Sequence, residues 1–117
     1  MTLLEVAVKA LDDLKAQNIR ILDMRGISPL FDYMVLSTAS NNRQAEAMMK
    51  RIKDDAFLNG FDIKGVEGND GSWILVDCKD IIINIFNDES REHYGLDKLY
   101  LDVKTVDVNE ILRNMDK

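Results

Sequence analysis

The sequence predicts an α/β fold: a mixed five-stranded sheet with helices mainly on one face, formed by a single domain over residues 1–117. Two segments repeat apolar residues at helical spacing, and five segments read as strands, two before the second helix and three after it. Each long helix has one apolar stripe, so both are expected to cover the same face of the sheet.

Thr2 caps the first helix, and Glu5 three residues later completes a capping box. Leu4, Ala7, Leu11 and Leu14 form its buried stripe, and its end is expected near Gln17-Asn18. Ile19 to Met24 alternates and reads as a strand. Gly26 and the only proline, Pro29, mark a turn. Phe31 to Thr38 is apolar on both faces in its middle, as a central strand is. Ser40, Asn41 and Asn42 supply capping side chains for a second helix, whose stripe is Ala45, Met48, Met49, Ile52 and Ala56 and which Gly60 stops. The exit from Ser37 to Ser40 into this helix reads as a parallel-type crossover to a strand over Phe61 to Val66.

The next stretch, Gly65 to Phe86, reads as two strands entered through a glycine-rich loop. With a two-residue turn at Cys78-Lys79, Asp77 faces Asp80, Leu75 pairs with Ile82 and Trp73 with Asn84. Alternation then puts Trp73, Leu75, Asp77, Asp80, Ile82 and Asn84 on one face, and Ile74, Val76, Ile81, Ile83 and Ile85 on the other. The second set is the better core. Asn87 to Gly95 reads as a short helix, Leu96 to Val103 as a turn and an extended piece, Thr105 to Asp107 as polar or capping, and Val108 to Met115 as a final helix.

Composition narrows function. The chain is 46% hydrophobic and 31% charged, and its longest apolar runs are four residues, far short of a membrane span. The N-terminus lacks a basic start and does not read as a signal peptide, so the cytoplasm is the expected compartment. A net charge of −6 disfavours direct nucleic-acid binding and favours a basic protein partner. One histidine, His93, and one cysteine, Cys78, form no metal-ligand cluster, and no metal or cofactor is expected. Asp77 and Asp80 beside Cys78 oppose a reactive thiolate. Gly65, Gly68 and Gly71 lead into a strand, not a helix, so they do not make a phosphate loop. No two acidic residues stand at i and i+2, the spacing that projects a metal-binding carboxylate pair from a strand.

Several segments together resemble the ribosomal silencing factor (RsfS, or Iojap) family. They are ALDDLKAQNI (Ala10 to Ile19), Leu22-Asp23, FDYMVLSTASNNRQ (Phe31 to Gln44), GVEG (Gly65 to Gly68), WILVD (Trp73 to Asp77) and SREHYGLDKLY (Ser90 to Tyr100). The resemblance implies a nucleotidyltransferase-like fold without its active site. It also implies a protein that is not an enzyme, binds the large ribosomal subunit through ribosomal protein fourteen and blocks subunit joining. Homodimers are part of the same expectation. The chain departs from the family at Tyr100, where tryptophan is usual, at Asn84, often histidine, and at Cys78-Lys79, often Leu-Gly.

Trp73, Asp77, Cys78, Lys79 and Asp80 are the expected partner-binding residues. Two readings of Trp73 stay open: an interface anchor, or core packing under the C-terminal segment. Tyr94 and Tyr100 read as packing residues. The alternatives to a silencing factor are a nucleotidyltransferase-like enzyme and a homodimeric module with another basic protein partner.

Overall fold

The computed structural model describes residues 1–68 and 70–115. Helix α1 (Leu3–Asp13) starts in the expected capping box: Thr2 Oγ1 accepts from the Glu5 amide at 3.2 Å and the Glu5 carboxylate accepts from the Thr2 amide at 2.7 Å. It ends four residues before the predicted stop. Lys15 sits at φ +65°, the Ala16 amide donates to the Leu11 carbonyl, and the Lys15 amide donates to that of Asp12. This is a Schellman ending built on lysine where glycine is usual.

Strand β1 (Gln17–Asp23) runs antiparallel to β2 (Tyr33–Thr38). Helix α2 (Asn42–Leu58) is capped by Asn41, whose side chain accepts from the Gln44 amide at 2.8 Å. Gly60, at φ +80°, ends it with the same motif as α1. The next strand, β3 (Gly65–Glu67), is shorter and later than the predicted Phe61 to Val66. It lies at the sheet edge, antiparallel to β4 (Trp73–Asp77), which is antiparallel to β5 (Ile81–Phe86).

The parallel neighbour of β2 is β5, not the strand after α2 as the sequence suggests. The physical reason is burial. Ile81 and the run from Ile83 to Phe86 are buried and suit the sheet centre, whereas Gly65 and Glu67 are exposed and suit an edge. Helices α3 (Asp88–Tyr94) and α4 (Leu96–Leu99) follow; α4 stands where a brief turn is predicted, and residues 100–103 form turns, not the predicted extended piece. A sixth strand, β6 (Thr105–Val106), pairs with the outer side of β1, and α5 (Val108–Met115) packs on α1. The sheet order is therefore β3-β4-β5-β2-β1-β6, with six strands where five are predicted. Two residues are too few for a periodicity to reveal.

Helices α1, α2 and α5 cover one face over a core that includes Leu11, Ile52, Ile74, Val76, Ile83 and Ile85. The second face is not left bare along its whole width. Leu22, Met34, Leu36 and Phe86 are buried there beneath Leu96, Tyr100, Val103 and Phe31. The α3–α4 segment is thus a strap across the middle of the second face, and β3 and β4 extend beyond it.

Candidate functional site

The hairpin of β4 and β5 keeps the predicted faces but not the predicted register. Trp73 lies opposite Phe86, Leu75 opposite Asn84 and Asp77 opposite Ile82. The pairing has slipped by two residues, which preserves side-chain parity. The tip is Lys79-Asp80: the Cys78 amide donates to the Ile81 carbonyl at 3.0 Å. Asp77 Oδ1 accepts from the Lys79 amide at 2.9 Å and stabilises this turn, with Lys79 at φ +73°. That conformation costs a lysine about 1 kcal/mol.

The slip moves Cys78 out of the tip. Its side chain joins the helix-covered core at 4% exposure. Burial, with the Asp77 charge beside it, pushes the thiol up to about 11, so it stays protonated at neutral pH. The reading of Cys78 as a contact residue is therefore corrected. Lys79 and Asp80 are exposed at the tip, and Asp77 is half-buried. Asp80 also anchors the entry to β2, its carbonyl accepting from the Asp32 amide at 2.7 Å.

Trp73 is neither sealed nor free. Its ring packs on Phe86, with centroids 5.1 Å apart, and on Tyr94 of α3, at 4.4 Å. Its Nε1–H donates to Asn84 Oδ1 at 3.0 Å. The remaining surface is half-exposed and opens onto a groove of about 240 Å3 lined by Glu67, Gly68, Trp73 and Leu75. Leu75 and Ile82 are half-exposed on the same face. Gly68 closes the groove wall, at φ +108°; a Cβ there would run into the Trp73 carbonyl. The site is thus an indole and two aliphatic side chains with Glu67 beside them, while Asp77 and Asp80 lie further along the hairpin toward its tip.

Sequence reasoning missed the strap's fastening. Arg91 donates from Nε and Nη2 to the two carboxylate oxygens of Asp97, at 2.9 and 3.2 Å, and from Nη1 to the Asn18 carbonyl and Thr38 Oγ1. Arg20 donates to Asp97 and to the Tyr100 carbonyl. These bonds hold α3 and α4 against β1 and β2. The Arg91 hydrogen bonds hold the Asp97 carboxyl below its ordinary value, partly offset by burial and aided by Arg20. Only the segment Ser90 to Tyr100, noticed through resemblance, hinted at this cluster. Tyr94, read as packing, both packs on Trp73 and remains 52% exposed. Among the described residues no group of three His, Cys, Asp or Glu side chains is placed to hold a metal ion, and no helix is long and apolar enough to cross a membrane.

Comparison with known proteins gives a consistent result. Residues 1–117 match the family described as "Ribosomal silencing factor during starvation". A ribosomal silencing factor RsfS of Bacillus subtilis is 37% identical, the match covering 92% of each chain. One from Haemophilus influenzae is also 37% identical, over 86% of this chain and 99% of that one. A crystal structure of a Chromobacterium violaceum protein superposes with a TM-score of 0.80 at 32% identity, covering 86% of this chain and 87% of that one.

Proposed function

The chain belongs to the ribosomal silencing factor family, and on that premise we propose that it binds the large ribosomal subunit through ribosomal protein fourteen and blocks subunit joining. It acts as an obstacle in the cytoplasm and performs no chemistry. A body measuring 36 × 32 × 26 Å, seated on a joining surface, occupies space the small subunit needs.

One observation carries the choice of docking surface: Trp73 is only partly buried at the rim of the α3–α4 strap, where its ring packs on Tyr94 and its N–H is bonded to Asn84. Aromatic anchors in such settings dominate many interfaces. Glu67 beside the ring, Asp77 and Asp80 further along the hairpin, and a net charge of −6 suit a basic ribosomal protein. Lys79 and Asp80 at the tip add polar contacts at the rim.

The test is a subunit-joining assay with purified ribosomal halves, alongside co-sedimentation in a sucrose gradient. Wild-type protein is expected to travel with large subunits and to suppress joining. Trp73→Ala is expected to remain folded and to bind more weakly by about 2 kcal/mol. Undiminished binding by the folded variant would remove Trp73 from the docking surface. Nucleotide transfer in the presence of magnesium or manganese would replace the obstacle reading with an enzymatic one. A second copy of the chain is the competing occupant, because Leu75 and Ile82 are only partly buried on the same face of the hairpin. Light scattering with and without large subunits separates a monomer that binds from a dimer that must first dissociate.

A further inference from the structure

Asn84 is the one polar side chain of β5, and it is sealed to 1% exposure. Its neighbours in the strand, Ile83 and Ile85, are fully buried and apolar. An amide in such a place is costly unless its groups are satisfied. Here they are. Its oxygen accepts the Trp73 Nε1–H at 3.0 Å, and its nitrogen donates to the Val35 carbonyl at 3.3 Å. The indole needs an acceptor and the carbonyl needs a donor, so one amide orientation serves both. Ser37 Oγ donates to the Asn84 backbone carbonyl at 2.8 Å. A buried run of hydrogen bonds therefore leads from the half-exposed indole across β5 into β2.

Only one end of that run reaches solvent, and it is the indole. Phe86 and Tyr94 restrain the ring by packing, which leaves its tilt adjustable. The hydrogen bond to Asn84 removes that freedom. A docking side chain fixed before encounter loses less conformational entropy on binding. We infer that Asn84 is a positioning residue for partner docking: it touches no partner itself and holds the Trp73 indole in its binding orientation. This rests on the reading of Trp73 as the docking anchor.

Trp73 is the only tryptophan, so fluorescence and indole proton signals report on this site alone. Asn84→Leu removes the acceptor, and the donor to Val35, while keeping the same number of side-chain heavy atoms. Asn84→Asp, which burial keeps protonated, preserves an oxygen that accepts the indole N–H and gains an O–H that can donate to the Val35 carbonyl. With Asn84→Leu, the fast component of Trp73 anisotropy decay is expected to grow, and affinity for purified large subunits to fall about fivefold to tenfold. With folded Asn84→Asp, both are expected to stay near wild type while urea stability falls, a separation that a purely structural role for the amide would not produce. An immobile indole in folded Asn84→Leu overturns the inference, as does a mobile indole with full affinity. Should Asn84→Leu not fold, indole N–H exchange in the wild-type protein decides: slowed exchange is expected, and exchange at the rate of free tryptophan overturns it. If Trp73→Ala retains full affinity, the docking reading itself fails. If Trp73→Ala weakens binding and a mobile Asn84→Leu does not, only the positioning role fails.

Discussion

The two faces of the β4–β5 hairpin both carry large apolar side chains and end in different states. On one face Ile74, Val76, Ile83 and Ile85 are sealed beneath α1 and α2. On the other, Phe86 and Asn84 are buried, while Trp73, Leu75 and Ile82 stay half-exposed. Leu75 is as apolar as Val76 beside it. What separates them is cover: the α3–α4 strap spans the centre of the second face, and the β3–β4 wing lies beyond it. A partly covered apolar strip beside a closed core is the feature on which the proposed docking surface rests.

Truncating adjacent residues on opposite faces probes this contrast most strongly. Ile83→Ala is expected to destabilise the fold by about 3 kcal/mol, because it opens a cavity in a closed core. Ile82→Ala, one residue away, is expected to cost about 1 kcal/mol, since its side chain is only partly buried. Urea unfolding measures both, and equal losses would break the distinction between the faces.

Loosening the strap tests what creates the distinction. Arg91→Ala removes bonds to Asp97, Asn18 and Thr38. It is expected to cost about 2 kcal/mol and to raise amide exchange over residues 88–103 before it does so in α1 or α2. Exchange rising uniformly would show that the strap and the core open together.

The smallest effect is a pH dependence. Asp97 has a folded pKa below its ordinary value of 3.8, so its contribution is fully present above that value. It is lost as pH falls through the lower, folded value. Strap stability is therefore expected to be insensitive to this group from pH 7 to pH 5 and to weaken below 3.8, with Asp97→Asn removing that acid response. Amide exchange across α3 and α4 during acid titration is the measurement.

The endings of α1 and α2 show why some structure is legible in the sequence and some is not. Both use the same Schellman geometry. At Gly60 the required left-handed backbone is announced by the one residue that adopts it freely. At Lys15 nothing announces it, and the predicted helix runs four residues too long. The hairpin tip repeats the lesson: Lys79 takes a left-handed conformation supported by Asp77, and the turn lies one residue beyond the predicted Cys78-Lys79. That single step carries Cys78 from the expected docking surface into the core. Trp73 lines the groove and Lys79 and Asp80 are exposed at the hairpin tip, whereas Asn84 joins Trp73 through a side-chain bond diagonal to the strand pairing.

Local chemistry by itself determined the α/β class, the two long helices with their caps, and the division of β4 and β5 into an apolar face and a mixed one. Those features depend on neighbours within a few positions and on a two-residue alternation that survives a two-residue slip. Tertiary structure alone decided that β5 sits beside β2, that β6 joins the edge, and how far the second face is covered. That cover hangs on contacts such as Arg20 with Asp97, 77 positions apart. No short-range pattern encodes such a meeting, because it exists only once the sheet has brought both residues to one place.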